Sequence, residues 1–438
     1  MKISKLHIDQ FRHLENLDFD FTYPKDFHIE EKRGKPLEKI CFIGQSATGK
    51  TGLLELINNS ISEFFDFRII SEDRILPSLY FNHYNIKLDF EADSINYKYE
   101  EKSIKIDNKK FNIYEGSYSG GAKDVINYKN KLFYFTAEIL SKQNIKLFEE
   151  ETVILIERYK SLKEKIKDNS YFRLTFDDKV EDAIWIGLLE ENINYLQKFL
   201  QFASELINSG KMLDSSSQTK VENWKGNNIN PLIEFSEKFN SILEKINLEV
   251  DLVNTRNITP LHNKISGENI PIQKTSTGTK QLLLTALLLF KLNTTDSVIL
   301  IDEPERSLYP DMQMELMDHY KNLAPEAQFI VATHSPFIAA SFEPEERFIL
   351  YFDNEGKVAV RRGISPIGDD PNDMLFNDFG VNYYNDDVQE KFKEYLELLD
   401  KVKSESNKEL KKKYLLEASK LGNQYNFILD EKNQERLQ

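Results

Sequence analysis

Hydrophobic and polar residues alternate along the first part of the chain, as they do in strands with one solvent-facing side. Residues 3–8 and 17–21 follow this pattern, and Phe11-Arg12-His13 lies between them. The two segments predict an antiparallel strand pair joined by a turn. Alternation returns between residues 79 and 114 and predicts a meander with strands at 86–90, 95–99 and 111–114.

Continuous apolar segments predict buried strands, and apolar residues three and four apart predict helices. The predicted buried strands are 39–43, 297–301 and 328–332, and further strands are predicted at 131–139, 248–253, 270–272 and 349–352. The predicted helices are 53–65, 149–167, 181–209, 231–246, 281–292, 311–323 and the tail from 387. Residues 214–219 form the most loop-like segment.

Composition places the chain among globular proteins and excludes several classes. Hydrophobic residues make up 40% of its 438 positions and charged residues 29%, so it can bury a large core. The only cysteine, Cys41, excludes a disulfide within the chain and a cysteine-based zinc site, and it fits a reducing cytoplasm. The longest apolar segment, 282–290, is shorter than the ~20 residues of a membrane span, and the first residues alternate rather than forming a signal segment. We therefore expect a cytoplasmic protein without a membrane partner.

The net charge of −15 excludes a general basic coating for nucleic acid. A local basic groove stays open as an interpretation, with Arg361-Arg362 and the lysines of 160–167 as candidate contacts.

The segment between the buried strand 39–43 and the following helix fits the phosphate-loop pattern G-x-x-x-x-G-K-[ST]. Its glycines let backbone N–H groups converge on phosphate oxygens at the positive end of a helix. The lysine would reach the β and γ phosphates, and the threonine hydroxyl would bind Mg²⁺. The eight residues are Gly44, Gln45, Ser46, Ala47, Thr48, Gly49, Lys50 and Thr51.

A second candidate is the acidic pair Asp302-Glu303 at the end of the apolar strand 297–301. Asp302 at such a strand end can hold Mg²⁺, and Glu303 is placed to act as the general base on an attacking water. Buried strands often end in an acid, so this pattern gains its meaning from the phosphate loop.

Two further segments contribute candidates. Ser276 and Gly278 precede an apolar helix, where they form either a second phosphate-binding helix end or an ordinary N-cap. His334, in Thr333-His334-Ser335-Pro336, follows the strand 328–332 and is either structural or placed to contact a γ-phosphate.

The order of these motifs resembles that of ATP-binding-cassette ATPases, closest to the RecF/Rad50/OLD-like branch. Residues 302–310, Asp-Glu-Pro-Glu-Arg-Ser-Leu-Tyr-Pro, are similar to that branch's Walker B and D-loop, with Tyr309 where histidine is common. Thr275 stands where the signature usually has leucine. The resemblance implies that Arg12 and His13 border the nucleotide and that a Q-loop glutamine, here Gln143, follows the strand 131–139. It covers residues 1–60 and 270–340 motif by motif.

The resemblance implies an α/β fold: a P-loop ATPase head with a mixed sheet, an antiparallel β subdomain, a helical insertion and a helical tail. We expect an N-terminal lobe at 1–145, the insertion at 146–247, a C-terminal lobe at 248–385 and the tail at 386–438. It also implies ATP and Mg²⁺ as cofactors and head-to-tail dimerisation, with Ser276 and Gly278 of one copy capping the γ-phosphate held by Lys50 of the other.

Related machines fit the sequence less well. A transporter head usually lacks the long insertion, a Rad50-like protein needs long coiled coils, and an OLD nuclease needs an Asp-x-Asp pair that does not occur after Ser335. Residues 368–381 and the charged tail resemble instead the ends of Septu-type and retron-associated ATPases of bacterial anti-phage defence. Those ATPases work beside a separate effector, often an HNH nuclease.

Three hypotheses follow. The first is an ATPase that controls a separate effector in a defence complex without cutting nucleic acid itself. The second is a RecF-like repair ATPase that binds duplex DNA. The third is an assembly scaffold whose ATP is structural.

Overall fold

A computed structural model describes residues 1–77, 85–92, 94–100, 102–114, 116, 118, 120–126, 131–163, 172–209, 216–258, 261–381, 385–425 and 427. The chain divides into two compact units, 1–368 and 369–438. Among the described residues, no helix combines the length and apolar character that crossing a membrane requires.

The first part of the larger unit is mostly strand. Its elements are β1 (Lys2–Phe11), β2 (Leu14–Asp20), β3 (Lys39–Gly44), α1 (Lys50–Asp66), β4 (Arg68–Ile69), β5 (Arg74–Leu76), β6 (Asn85–Ala92), β7 (Ile95–Glu100), β8 (Ser103–Ile106), β9 (Lys109–Ile113), β10 (Lys123–Asp124) and β11 (Lys131–Phe135).

The middle of the larger unit is mostly helical. Its elements are α2 (Lys142–Glu149), α3 (Thr152–Leu162), β12 (Arg173–Phe176), α4 (Asp182–Leu188), α5 (Glu190–Asn208), α6 (Ser216–Asn227), α7 (Leu232–Leu243), β13 (Leu248–Val250), β14 (Leu261–Asn263) and β15 (Asn269–Ile270).

The last part of the larger unit alternates helices and strands. Its elements are α8 (Thr277–Lys291), β16 (Ser297–Asp302), α9 (Pro310–Met314), α10 (Leu316–Leu323), β17 (Gln328–Ala332), α11 (Pro336–Ala339), β18 (Arg347–Phe352) and β19 (Val358–Arg362).

A seven-stranded sheet positions the candidate chemistry. Its strand order is β12-β11-β16-β17-β3-β18-β19, and every pair is parallel except β18 with β19. The phosphate loop follows β3, Asp302 ends β16 and His334 follows β17. Because neighbouring parallel strands end at the same edge, these three segments converge at one crevice.

A nine-stranded sheet packs on the same core. Its order is β10-β4-β5-β9-β8-β7-β6-β1-β2, and its inward residues share one hydrophobic cluster with α1 and the seven-stranded sheet. Buried Gln328 joins the two sheets: its Oε1 accepts from the N–H of Ile3 at 2.7 Å, and its Nε2 donates to the carbonyl of Ile3 at 2.9 Å. A third, antiparallel sheet has the order β13-β14-β15.

The smaller unit is helical, with α12 (Pro371–Asn377), α13 (Asp386–Ser404) and α14 (Lys408–Tyr425). Its core contains Phe392, Tyr395, Leu398, Ala418 and Phe427. The predicted α/β fold class, with a mixed parallel sheet, an antiparallel sheet and C-terminal helices, is confirmed.

Two local expectations differ from the structure. Residues 216–219, expected as loop, begin α6, while 214 and 215 lie outside the described residues. The segment 146–247, expected as helical, contributes β12 to the edge of the seven-stranded sheet. The division into compact units falls after residue 368. It does not test the predicted boundaries between the N-terminal lobe, the insertion and the C-terminal lobe.

Candidate functional site

The loop between β3 and α1 has a backbone suited to wrapping an anion. Gly44, Ala47 and Gly49 have φ values of 139°, 65° and 91°, in the region that L side chains rarely adopt. A Cβ on Gly44 would lie 1.9 Å from the carbonyl oxygen of Leu350 on the neighbouring strand, so only glycine fits there. Gln45, Ser46 and Ala47 are exposed at the tip, while the Thr48 hydroxyl donates to the carbonyl of Gln45 at 2.8 Å within the loop.

Lys50 lies at the start of α1 with its ammonium against this loop. Its Nζ donates to the carbonyl oxygens of Gly44 at 3.0 Å and Gln45 at 2.9 Å. Burial lowers the pKa of Lys50 to about 8, against the opposing attraction of Asp302, Glu303 and Glu305. A phosphate group would offset this cost, because it supplies negative charge where the lysine has lost water.

Thr51 and Asp302 bring two oxygen ligands together. The Thr51 hydroxyl donates to Oδ2 of Asp302 at 2.9 Å. Burial raises the pKa of Asp302 to about 6, with further contributions from Glu303, Glu305 and Glu55, while the hydrogen bond from Thr51 opposes the shift. A hydroxyl and a carboxylate in contact are both oxygen donors, and they would suit Mg²⁺ as ligands.

Glu303 follows directly in a strained backbone conformation. Its φ is 49°, its N–H donates to the carbonyl of Ala332 at 2.9 Å, and its carbonyl accepts from Nε2 of Gln281 at 3.3 Å. Non-glycine residues in this region persist where the surroundings hold them, and such residues cluster at functional sites. The backbone of Glu303 is thus fixed on both sides beside β17 and α8.

His334 lies just beyond β17, close enough to the phosphate loop to interact with it electrostatically. Partial burial and the positive charge of Lys50 lower the pKa of His334, while Glu303 opposes the shift. Its backbone N–H donates to Oε1 of Glu305 at 2.9 Å. The structure thus brings His334, Lys50 and Glu303 into one electrostatic environment.

Ser276 and Gly278 lie at the N-terminus of α8. The Ser276 hydroxyl accepts from the N–H of Thr279 at 3.1 Å, so this residue is an N-cap, as one of the two interpretations predicted. A Cβ on Gly278 would lie 2.1 Å from the carbonyl oxygen of Ser307, which itself has a φ of 62°. The start of α8 is therefore packed directly on the loop that follows Glu303.

Arg12 and His13 form the turn between β1 and β2, against the start of α1. Arg12, with a φ of 55°, pairs through Nη2 with Oε2 of Glu55 at 2.6 Å. A Cβ on Gly49 would lie 3.1 Å from Nε2 of His13, so this ring borders the phosphate loop. Gln143 lies in α2, but its side chain is outside the described part of the chain, and its role as the Q-loop glutamine stays a prediction.

Sequence reasoning gave no role to three residues that support the site. Glu305, quoted only as part of a motif, holds the His334 amide, and Gln281 holds the Glu303 carbonyl. Glu55 pairs with Arg12 from one turn into α1. For Gln281, the sequence held one signal of a supporting role, which is a polar residue at the start of an otherwise apolar helix.

Comparison with known proteins supports nucleotide binding. Residues 175–339, which include α8, β16 and His334 but not the phosphate loop, match the model of the AAA ATPase domain family. The match spans less than half of the chain. Together with the phosphate loop at 44–51, the match indicates an ATP-binding ATPase, and the matched family implies ATP hydrolysis with Mg²⁺.

Solved structures similar to the chain include three heads of the SMC type. The SMC head domain from Thermotoga maritima has 12% identity and a TM-score of 0.37, covering 83% of this chain and 100% of that one. The Smc head domain with an extended coiled coil bound to the C-terminal domain of ScpA, from Pyrococcus furiosus, has 15% identity and a TM-score of 0.35, covering 82% and 96%. An SmcHead bound to the C-winged helix domain of ScpA has 12% identity and a TM-score of 0.38, covering 83% and 97%. None of the curated proteins compared with the chain matches it.

Proposed function

We propose that this protein is a cytoplasmic ATPase whose two copies join head to tail around ATP and thereby control a separate effector protein. The observation that carries the proposal is the 2.9 Å contact between the Thr51 hydroxyl and Asp302, beside Lys50 and at the edge where His334 also lies. The loop with Lys50 and Thr51, the carboxylate of Asp302 and the His334 side chain come from three segments of the chain. Phosphoryl transfer requires such a loop, a cation and oxygen ligands for Mg²⁺.

Each residue has a distinct role in the proposed reaction. The exposed loop residues 45–47 and the start of α1 direct backbone N–H groups at the phosphates, and the Lys50 ammonium neutralises their charge. Thr51 and Asp302 would hold Mg²⁺, which when bound neutralises charge on the phosphate oxygens. Glu303 accepts the proton of the attacking water, and His334 contacts the γ-phosphate through its neutral imidazole.

The second copy enters through the N-terminus of α8. We propose that Ser276 and the Gly278 amide of one copy bind the γ-phosphate held by Lys50 of the other. Support comes from the helix itself, since α8 is 15 residues long and its first turn presents N–H groups at the positive helix end. ATP binding would close the pair, and hydrolysis would release it by removing the shared phosphate.

The effector hypothesis rests on the resemblance of residues 368–381 and the tail to Septu-type and retron-associated ATPases. We propose a separate nuclease, such as an HNH protein, as the partner. The proposal gives this chain no nuclease activity, because its sequence after Ser335 has no Asp-x-Asp pair.

The repair-ATPase alternative gains no support from the candidate basic contacts. Arg362 is engaged internally: it donates to the carbonyls of Glu345 and Asp20 and stacks over the ring of Phe348, 4.0 Å from the centroid. Burial lowers its pKa to about 10. Residues 164–167, the end of the other candidate patch, lie outside the described residues.

Two variants test the proposal in one experiment. Glu303→Gln keeps ATP binding and should reduce turnover about 100-fold or more, the share of a general base. It should accumulate as an ATP-dependent dimer in light scattering, whereas Lys50→Ala should stay monomeric with or without ATP. If Glu303→Gln hydrolyses ATP at the wild-type rate, the general-base role is wrong.

The partner is tested by expressing each tagged variant from its native operon and identifying co-purified proteins by mass spectrometry. A stoichiometric nuclease that is retained by Glu303→Gln and lost from Lys50→Ala supports control of an effector by the ATP state. Recovery of the chain alone, or with DNA only, contradicts it.

A further inference from the structure

The two large sheets end in strands that line one groove. β19 is the last strand of the seven-stranded sheet, and β2 is the last strand of the nine-stranded sheet. Residues 15–18 form one wall of the groove and residues 357–360 the other. At one end the two strands are joined, because Nη2 of Arg362 donates to the carbonyl of Asp20. A terminal strand leaves one row of main-chain groups without a strand partner, and here two such strands border the same groove.

The hydrogen bonds of β19 show which of its residues face the groove. On the opposite arm of the hairpin, the carbonyl of Lys357 accepts at 2.8 Å and the N–H of Gly363 donates at 3.0 Å. Main-chain groups of successive strand residues point alternately to the two sides of the strand. Val358 and Val360 therefore direct their N–H and C=O groups away from β18. Among the described residues, these four groups have no hydrogen-bond partner.

On the other wall, Asp18 faces the groove in the same way. The N–H of Phe21 donates to the carbonyl of Ser4 at 2.8 Å on the β1 side, whereas the carbonyl of Asp20 accepts from Arg362 on the β19 side. By the same alternation Asp18 shares the direction of Asp20, and its N–H and C=O are unpaired within the described part of the chain. The groove thus presents donors and acceptors at strand spacing, which an extended polypeptide complements.

The charges at the groove narrow the class of occupant. Glu15, Asp18 and Asp353 line it together with the single ammonium of Lys357, which gives a net charge of −2. Nζ of Lys357 lies 3.6 Å from Oε2 of Glu15, so no lysine or arginine lining the groove offsets the other two carboxylates. This charge disfavours nucleic acid, and it disfavours a second copy of a chain whose net charge is −15. It attracts lysine and arginine side chains.

We propose that the groove binds an extended, lysine- or arginine-bearing segment of a partner protein, which adds to β19 as a further strand. Main-chain hydrogen bonds to Val358 and Val360 would hold the segment, and its cationic side chains would meet the carboxylates of Asp353 and Asp18. The proposal goes beyond nucleotide binding, because it uses none of the residues assigned to ATP or Mg²⁺.

Full-length protein labelled with ¹⁵N at valine allows a direct test by NMR, because the amides of Val358 and Val360 are the reporters. The probe is the peptide acetyl-KVTVK-amide. We expect saturable shifts of both signals with a Kd of about 0.5 mM, as suits a short peptide. At ten times that concentration, hydrogen exchange of both amides should slow about 5-fold or more, since added strand pairing protects them.

Two further peptides separate main-chain pairing from charge. The same sequence with N-methyl groups on its three central residues keeps both lysines but loses the donors, and it should bind at least 10-fold more weakly. The analogue acetyl-EVTVE-amide keeps the donors but reverses the charge, and it should also bind at least 10-fold more weakly.

Variants show whether the probe occupies this edge. Val360→Pro removes one outward N–H, at a place where edge strands accept proline, and should weaken probe binding at least 10-fold as followed at Val358. Val360→Thr keeps the N–H and is the matched control, with normal binding expected. Glu15→Gln combined with Asp353→Asn keeps the turn acceptor of residue 353 and should weaken binding of the lysine peptide about 5-fold or more.

ATP binding by each variant reports that the head is folded. Lys50→Ala should lose ATP but keep the probe, so a failed peptide site and a failed nucleotide site give different results. Equal binding by Val360→Pro and Val360→Thr, or full affinity of the N-methylated or acidic peptide, would overturn the proposal. A dimer that forms without ATP and is dissociated by Val360→Pro would overturn it too, because a second copy would then occupy the edge.

Discussion

The backbone N–H of His334 donates to Oε1 of Glu305, and this 2.9 Å hydrogen bond joins the segment after β17 to the segment after β16. Burial raises the pKa of Glu305, while hydrogen bonds from Thr333 and His334 oppose the shift. Glu305 is therefore placed to position His334.

Glu305→Gln keeps an acceptor for the His334 amide, whereas Glu305→Ala removes it. We expect Glu305→Ala to lower kcat about 10-fold with little change in ATP affinity, the loss that follows from one charge-assisted hydrogen bond in the site. Glu305→Gln should recover most of that activity. Steady-state kinetics and nucleotide-binding assays check this, and equal kcat values for the two variants would argue against a positioning role.

A second prediction concerns the proton on Lys50. Because its pKa is lowered to about 8, Lys50 is mostly neutral at pH 9 in the free protein, and the negative phosphates of ATP favour its charged form. ATP binding should therefore take up close to one proton at pH 9 and close to none at pH 7, and affinity should fall as pH rises through 8.

Calorimetry in buffers of different ionisation enthalpy measures this uptake. Lys321 provides a control away from the site, since burial also lowers its pKa to about 8 and its Nζ donates to the carbonyl of Ala327 at 2.8 Å. Lys321→Met should leave proton uptake on ATP binding unchanged. If proton uptake disappears in Lys321→Met, the proton belongs to Lys321 and its assignment to Lys50 is wrong.

The third prediction separates the two roles of Ser276. Ser276→Asp keeps an oxygen that caps α8, but it places a negative charge where the partner's γ-phosphate is expected. ATP binding and thermal stability should be preserved, and ATP-driven dimerisation should be lost. Ser276→Ala, by contrast, should lose about 1 kcal/mol of stability through the missing cap.

Each variant is combined with Glu303→Gln, and light scattering in the presence of ATP measures whether it forms a dimer. An ATP-dependent dimer of the Ser276→Asp protein would leave helix capping as the whole role of this serine.

The fourth prediction concerns the stability cost of Asp302. Its folded pKa of about 6 exceeds its ordinary 3.8, so the folded state is favoured while the carboxyl is protonated and loses that advantage as pH rises from about 4 to 6. At pH 7.5 the ionised carboxylate then costs up to about 3 kcal/mol. Asp302→Asn should raise the unfolding midpoint at pH 7.5 by a few degrees and give no gain at pH 4.

Thermal unfolding at the two pH values tests this, with exposed Asp318→Asn as the control that should change neither midpoint. Added ATP and Mg²⁺ should stabilise the wild type but not Asp302→Asn. If Asp302→Asn lowers the unfolding midpoint at pH 7.5, the ionised carboxylate does not carry the proposed cost in folding stability.

The sequence predicted those parts of the fold that local pattern determines. The strands β3, β16 and β17 are continuous apolar segments, and the glycines and lysine of the phosphate loop indicate its conformation directly. The turn between β18 and β19 contains Asp353, Asn354 and Gly356, which are typical turn residues and are readable from the sequence.

Other features depend on contacts between distant segments, which periodicity does not contain. The strand β17 pairs with both β16 and β3, and this strand order brings His334 to the phosphate loop. The order depends on long-range contacts that no local pattern indicates. The strand β12 is short and follows a polar segment, and α6 has the Ser- and Asn-rich composition typical of loops. The Arg12–Glu55 pair likewise joins a turn to a helix more than 40 positions later.

The close approach of Gly278 to Ser307 has a mechanical consequence. With the Gln281–Glu303 hydrogen bond, it holds the first two turns of α8 against the segment after β16 at two points. In the proposed pair, Ser276 would face the neighbouring copy's nucleotide and Glu303 the chain's own, and these two contacts join their segments. A shift of one segment would therefore move the other, and in the proposed pair hydrolysis of one ATP would alter the contact that the same copy makes with the second ATP.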